Sequence, residues 1–450
     1  MNSAKIRLLW ALACAAILLL AKAADAEEIE RLRTFYFGNS FTGNTMPGLH
    51  PLLGKSADKE WTVNALIHPG VPIWLHMVKQ MDTGSSNYQK FQSDGPQTDA
   101  IVMLLFDGDG LSSVVTEKWQ GKVKFAEPTD IGDVAACEYL INEYLKRNPK
   151  GRAYVYTAWP GIPGVRELRG RIREEALKSA LDKGGDRREI MATIKRIKPN
   201  HEQMEPLRKS FDYSSQWLNE GYAPNFPKET KDRLHNYRGL LNRSHRPRAP
   251  EVTLATLAEA GETDNATVRA DLKMVGWGDE PIEPGGLEKK LNAFLNAATR
   301  THCRQHMWAA MDGLIETFPR LWKQGRLGMV PVGDVFLELD KKMRAGEVPG
   351  MVNIGEYSAD GGHLRSGLPR YTLAATYYAV LFREHPNNVD WKIFQDRSNY
   401  DSGKYGFYVH QPDLAVHLDI TPERARVVNN TIWQVISDHP YVPMDCGDSS

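Results

Sequence analysis

Ala100-Ile101-Val102-Met103-Leu104-Leu105-Phe106 is an unbroken apolar run. A strand with one wet face alternates apolar and polar residues. A run that is apolar throughout fits a strand covered on both faces, as in a parallel sheet packed between helices. Upstream, Thr34-Phe35-Tyr36-Phe37 is a short β-prone run that stops at Gly38-Asn39-Ser40. Val63 to Ile67 stops at His68-Pro69-Gly70. Downstream, Ala153-Tyr154-Val155-Tyr156-Thr157 stops at Ala158-Trp159-Pro160-Gly161. Between the third and fourth runs, Asp130 to Asn148 carries apolar residues at helical spacing. Strand alternating with helix is the α/β pattern. Each strand hands over to a small or polar loop at its C-terminal end, where open sheets place their ligands.

The chain has 450 residues, 42% of them hydrophobic and 25% charged, which excludes a collagen, a coiled coil or a disordered acidic tail as the main body. Lys plus Arg and Asp plus Glu both number 56, so no net positive field exists to hold a nucleic-acid backbone. No nucleic-acid partner is expected.

Lys5 and Arg7 precede a 13-residue apolar run, Leu8 to Leu20, too short to span a bilayer well. Ala24-Asp25-Ala26 follows with the form of a cleavage site. Residues 1–26 therefore read as a secretory signal peptide, leaving no stable membrane anchor and a secreted or periplasmic protein. Cleavage after Ala26 leaves 53 basic and 55 acidic residues, a net of −2. Cys137, Cys303 and Cys446 remain, too few and too scattered for a disulfide scaffold and without metal-binding spacing.

After the fourth run the strand-helix pattern breaks. Residues 169–250 hold 19 Lys or Arg against 11 Asp or Glu. Arg169 to Lys183 and Arg187 to Ile197 read as helical, and 221–250 as weakly periodic. Residues 165–295 are expected to be a helical insertion or cap on a discontinuous α/β domain of 27–164 and 296–450. Helical periodicity resumes over Leu287 to Leu321. Val330-Pro331-Val332-Gly333 reads as a turn, Asp334 to Met343 as a helix with Asp334 at its N-cap, and Tyr371 to Phe382 and Pro422 to Ile436 as helices.

A serine directly after a buried strand faces the crevice, and its hydroxyl needs a base to become a nucleophile. Ser40 is such a serine. His363, in Tyr357-Ser358-Ala359-Asp360-Gly361-Gly362-His363-Leu364, is the candidate base, and Asp360 is three residues earlier in the same loop. A turn can then set the carboxylate on one ring nitrogen while the other faces Ser40. Asp107, in Phe106-Asp107-Gly108-Asp109-Gly110, and His68 are polar groups at strand ends and candidates for substrate contact, and Asp107 with Asp109 could bind a cation. A metal there needs further ligands. Trp159 is a candidate wall for a sugar. His302 and His306 have i,i+4 spacing but lack the glutamate of a zinc protease between them. No metal and no cofactor are expected.

Phe35 to Ser40 with Phe41 and Thr42 resembles the first block of the SGNH (GDSL-like) hydrolase superfamily, and Asp360-Gly361-Gly362-His363-Leu364 resembles its last. The resemblance implies a three-layer α/β sandwich with a parallel central sheet, flavodoxin-like, and ester hydrolysis. By position it implies Ser40 as nucleophile, His363 as base and Asp360 as its orienter. It also implies Ser40 N–H and Gly70 N–H as oxyanion donors. The asparagine of the third block is missing, and Asp109 stands about in its place; an ionised carboxylate cannot donate a hydrogen bond. The leading reading is a secreted serine hydrolase that deacylates a carbohydrate or glycoside, with a small-molecule or polysaccharide ester as partner. A non-catalytic secreted carbohydrate-binding protein of the same fold, and a lipid or thioester hydrolase, remain as alternatives.

Overall fold

A computed structural model describes residues 29–105, 132–182, 186–194, 197–223, 226–244, 251–278, 280–400 and 417–444. The expected signal peptide, Asp107, Asp109 and Cys446 lie outside the described residues. Strands β1 (Arg31–Gly38), β2 (Glu60–Ile67), β3 (Ala100–Leu105), β4 (Arg152–Thr157) and β5 (Leu327–Val330) form one sheet. Their order is β2-β1-β3-β4-β5, and every pairing is parallel. All five strands therefore end on the same edge of the sheet. The order reverses between β1 and β3, and a crevice opens at such a switch point.

The apolar runs are continuous because both faces are covered. On β1, Phe35 and Phe37 turn to one face, their rings 5.1 and 5.0 Å from Phe91. Tyr36 turns to the other, 5.6 Å from Tyr377. Burying a phenylalanine fully is worth about 1.5–3 kcal/mol. Helices Ile73–Met81 and Asp133–Leu145 pack together on the Phe35 face. Helices His50–Ser56 and Leu368–Phe382 lie on the Tyr36 face, with Pro422–Asp438 packed against the latter. The result is a three-layer α/β sandwich with an all-parallel sheet.

Between β4 and β5 the chain passes through a large helical insertion. The chain divides into two compact units, one of the residues up to Ser214 with those from Ala309, the other Ser215–Trp308. Helices Val165–Asp182, Arg187–Ile194 and His201–Lys209 belong to the first. The second has its own core, including Leu234, Tyr237, Leu241, Val268, Leu272 and Leu291. Leu234, Tyr237 and Leu241 are spaced i, i+3, i+7 on helix Lys228–Ser244, so the weakly periodic stretch holds a regular helix.

Three local expectations are corrected. Val330 closes β5 instead of opening a turn. The strand is short and carries Gly328, which leaves room for Tyr154 and Pro443: a Cβ there would lie 2.6 Å from Pro443 Cδ. Asp334 is inside helix Val332–Arg344, whose N-cap position is Pro331. The Asp334 carboxylate is buried 3.2 Å from His439 Nε2. His302 precedes helix Arg304–Thr317, so it does not share a helix with His306, whose Nδ1 lies 2.6 Å from the Tyr222 hydroxyl.

Residues 441–443 run beside β5. Met329 N–H donates to the Tyr441 carbonyl at 2.8 Å, and Pro443 sits over Gly328.

Candidate active site

The turn that carries Ser40 is built by its neighbours. β1 ends at Gly38, where a Cβ would lie 1.6 Å from Thr42 Oγ1, so only glycine lets the chain turn this sharply into helix Ser40–Asn44. Asn39 caps that helix, its side chain accepting from Phe41 N–H at 2.8 Å. Thr42 is hydrogen-bonded to the Tyr156 hydroxyl on β4. Ser40 is the first residue of the helix, where a backbone N–H has no intrahelical acceptor.

His363 reaches this serine from 323 residues away. Its Nε2 lies 2.9 Å from Ser40 Oγ. Its Nδ1 lies 3.0 Å from both oxygens of Asp360. An ionised carboxylate only accepts, so this network assigns the proton to Nδ1 and leaves Nε2 to accept from the Ser40 hydroxyl. The carboxylate is also held by backbone N–H groups, His363 at 3.0 Å and Gly362 at 3.4 Å. The loop closes through Ala359 N–H to the His363 carbonyl at 2.8 Å and Gly361 N–H to Ser358 Oγ at 2.8 Å. Gly361 has φ +102°, a backbone that other residues rarely adopt.

Three supports hold the loop. Trp159 Nε1–H donates to the Gly362 carbonyl at 2.9 Å, and Ile162 N–H to that of Gly361 at 2.7 Å. Arg208, 1% exposed, donates from Nε to the Ser358 carbonyl at 3.0 Å and from a terminal nitrogen to that of Ala359 at 3.3 Å. Asn44 joins the two halves of the site: its Nδ2 donates to the Ser40 carbonyl at 2.8 Å, and its Oδ1 accepts from Leu364 N–H at 3.0 Å. Neither Asn44 nor Arg208 was singled out from the sequence, because nothing local marks a contact across 320 or 150 residues. Asn44→Ala should lower kcat on an ester by about tenfold to a hundredfold with KM little changed, since a misplacement of about 1 Å costs that much. Steady-state kinetics on folded protein check it, and an unchanged kcat counts against a positioning role.

The other sequence candidates fall as follows. Gly70 is exposed, with φ +69°, in the loop after β2. That loop is tied to the end of β1 by His68 N–H to the Gly38 carbonyl at 3.0 Å and by Asn39 Nδ2 to the Val71 carbonyl at 3.3 Å. His68 Nε2 lies 3.1 Å from Asn87 Oδ1. Trp159 is 3% exposed and its ring is stacked on Phe41 at 4.5 Å, so that face is taken. Trp159 also lines a small apolar cavity behind the loop, with Tyr213, Phe336, Tyr357 and Gly361. Among the described residues, no three or more His, Cys, Asp and Glu side chains are grouped to hold a metal ion, and no helix is long and apolar enough to cross a membrane. Cys137 and Cys303 are buried free thiols.

Two buried histidines frame the turn. His76 Nε2–H donates to the Gly38 carbonyl at 3.0 Å, and His50 Nε2–H to that of Thr45 at 2.8 Å. Burial pushes both down from 6.5 to about 3. The native state therefore stays neutral where the unfolded chain takes up protons. Their contribution to stability is complete above about pH 6.5 and is lost as pH falls toward 3, with a slope approaching about 1.4 kcal/mol per pH unit for each. Urea midpoints measured from pH 7 to pH 4 should fall accordingly, and His76→Asn should flatten the slope. A midpoint independent of pH over that range rejects this.

No family model matches the chain, and no curated protein matches it. Among solved structures it is similar to a crystal structure of a DUF4886 family protein from Bacteroides uniformis ATCC 8492. The identity is 10%, over 92% of this chain and 97% of that one, with a TM-score of 0.38. A likeness this distant carries no conclusion about activity. The class rests on this chain's own sheet: an α/β sandwich with an all-parallel five-stranded sheet and helical insertions.

Proposed function

We propose that the protein is a serine hydrolase of the SGNH (GDSL-like) type that cleaves a carboxylic ester, deacylating a carbohydrate or glycoside outside the cytoplasm. The observation that carries the reading is the hydrogen-bonded chain from Ser40 Oγ through His363 to Asp360 at the C-terminal end of β1. His363 Nε2 takes the Ser40 proton as Oγ attacks the ester carbonyl. Asp360 holds the ring in that tautomer and stabilises the imidazolium. Nε2 then returns the proton to the departing sugar oxygen, leaving Ser40 acylated. Water then attacks the acyl carbon as its proton passes to Nε2, and Nε2 hands that proton to Ser40 Oγ as the acid leaves. Ser40 N–H, which has no intrahelical acceptor at the helix start, and Gly70 N–H are the proposed donors to the oxyanion. The signal peptide expected at 1–26 from the sequence supports export.

The test is fluorophosphonate labelling followed by peptide mapping, with ester release from acetylated glycans and p-nitrophenyl esters. Label on Ser40 and release that depends on Ser40 are expected. Label elsewhere, or release equal in wild type and Ser40→Ala, sinks the reading and favours the non-catalytic carbohydrate-binding alternative.

A further inference from the structure

The insertion begins against the loop that carries Asp360. Val165 packs so closely on Gly361 that a Cβ there would lie 2.9 Å from Val165 Cγ2. Helix Val165–Asp182 begins at that point, and Arg166, Arg169 and Arg173 recur at i, i+3, i+7 on one side of it. Its acids, Glu167, Glu174, Glu175 and Asp182, fall on the other side, among Arg171 and Lys178. The side bearing the three arginines turns back toward the site. Arg173 Nε donates to the Ile197 carbonyl at 3.2 Å, and the next residue, Lys198, places Nζ 3.9 Å from Asp360 Oδ2. Arg166 is exposed and has no carboxylate partner among the described residues. Arg169 is half-buried, and its Nε is enclosed with no hydrogen-bond acceptor among them. With Nε enclosed, the terminal nitrogens of Arg169 are the donors that an incoming anion can meet. All these groups belong to the same compact unit as Ser40 and His363.

We propose that Arg166, Arg169, Arg173 and Lys198 form an anion-recognition rim at the Ser40 site, so that the ester cleaved is carried on an acidic polysaccharide. This rests on the hydrolase reading above. Guanidinium groups one turn apart suit anionic groups repeated along a chain, each taken by paired N–H donors. A general nucleic-acid surface is not favoured, because acids occupy the opposite side of the same helix and the whole chain is balanced in charge.

The shared ligand chemistry is a glycan polyanion, with carboxylate or sulfate as the charged group. Calorimetry with the Ser40→Ala protein at low salt compares polygalacturonate, dextran sulfate, uncharged dextran and a single-stranded oligonucleotide. Tighter binding of one glycan polyanion than of dextran is expected, and which one wins names the group. The double variant Arg166→Ala, Arg169→Ala should weaken that binding by at least about tenfold, and salt near the physiological range should weaken the parent likewise. Arg169→Lys should recover part of the loss, and Lys178→Ala, on the acid-bearing side, should change nothing. Equal binding of dextran and polyanion, an equal loss in Lys178→Ala, or tighter binding of the oligonucleotide overturns the rim. Ester release is read separately. Ser40-dependent release with no preference for acidic esters sinks the rim and leaves the hydrolase. Polyanion binding with no release from any ester sinks the hydrolase and leaves the rim.

Discussion

Ser40→Ala is expected to lower ester turnover by roughly 10⁴- to 10⁶-fold, because the proposed mechanism forms the acyl bond on Ser40 Oγ. Folding should survive. The Ser40 hydroxyl makes its hydrogen bond to His363 Nε2 in a partly exposed position, and the net worth of such a bond is about 1 kcal/mol. A loss of turnover with an unchanged urea midpoint is the expected pair of results. A residual rate above about a tenth of wild type would mean that another nucleophile or an activated water does the chemistry, and Ser40 would lose its role.

Asp360→Asn should be nearly as damaging, by about 10⁴-fold in kcat. An amide at this position can still accept from the His363 backbone N–H, so the loop should keep its shape. Presented to His363 Nδ1, its NH₂ group donates, which moves the ring proton to Nε2. The ring then faces Ser40 with a hydrogen instead of a lone pair. KM for a small ester should change little, since Asp360 acts on Ser40 only through His363. Fluorophosphonate labelling of Ser40 should slow in parallel with turnover. Near-normal labelling would show that the carboxylate does not set the tautomer.

The fold was legible where burial on both faces is written into consecutive residues. Ala100 to Leu105 reads as a covered strand because no polar residue interrupts it, and β1, β2 and β4 stop at turn-forming residues that sequence rules recognise. β5 was not legible. It is four residues long, and Gly328 in its middle is explained only by the chain that later packs on it. The site divides in the same way. Asp360 and His363 are three residues apart, so a single turn suggests their contact. Ser40 stands out by its position after a strand. Arg208 lies in the 169–250 stretch, which its sequence marks only by an excess of basic residues, yet it is buried against two carbonyls of the loop. Asn44 looks like any residue of a turn. Long-range supports of this kind have no local signature, although they decide whether 2.9 Å between Ser40 and His363 is maintained.

The chain at 441–443 bears on how the protein behaves at high concentration. An outermost strand with unpaired N–H and C=O groups invites a strand from another molecule, which is how many sheets aggregate. On β5 the Met329 N–H is already taken by the Tyr441 carbonyl, and Pro443 lies over Gly328 with no N–H of its own to continue a ladder. Intermolecular sheet growth from this side is therefore blocked by the protein's own backbone. A chain that lost these few residues would keep the edge that carries Ser40 and gain a sticky one.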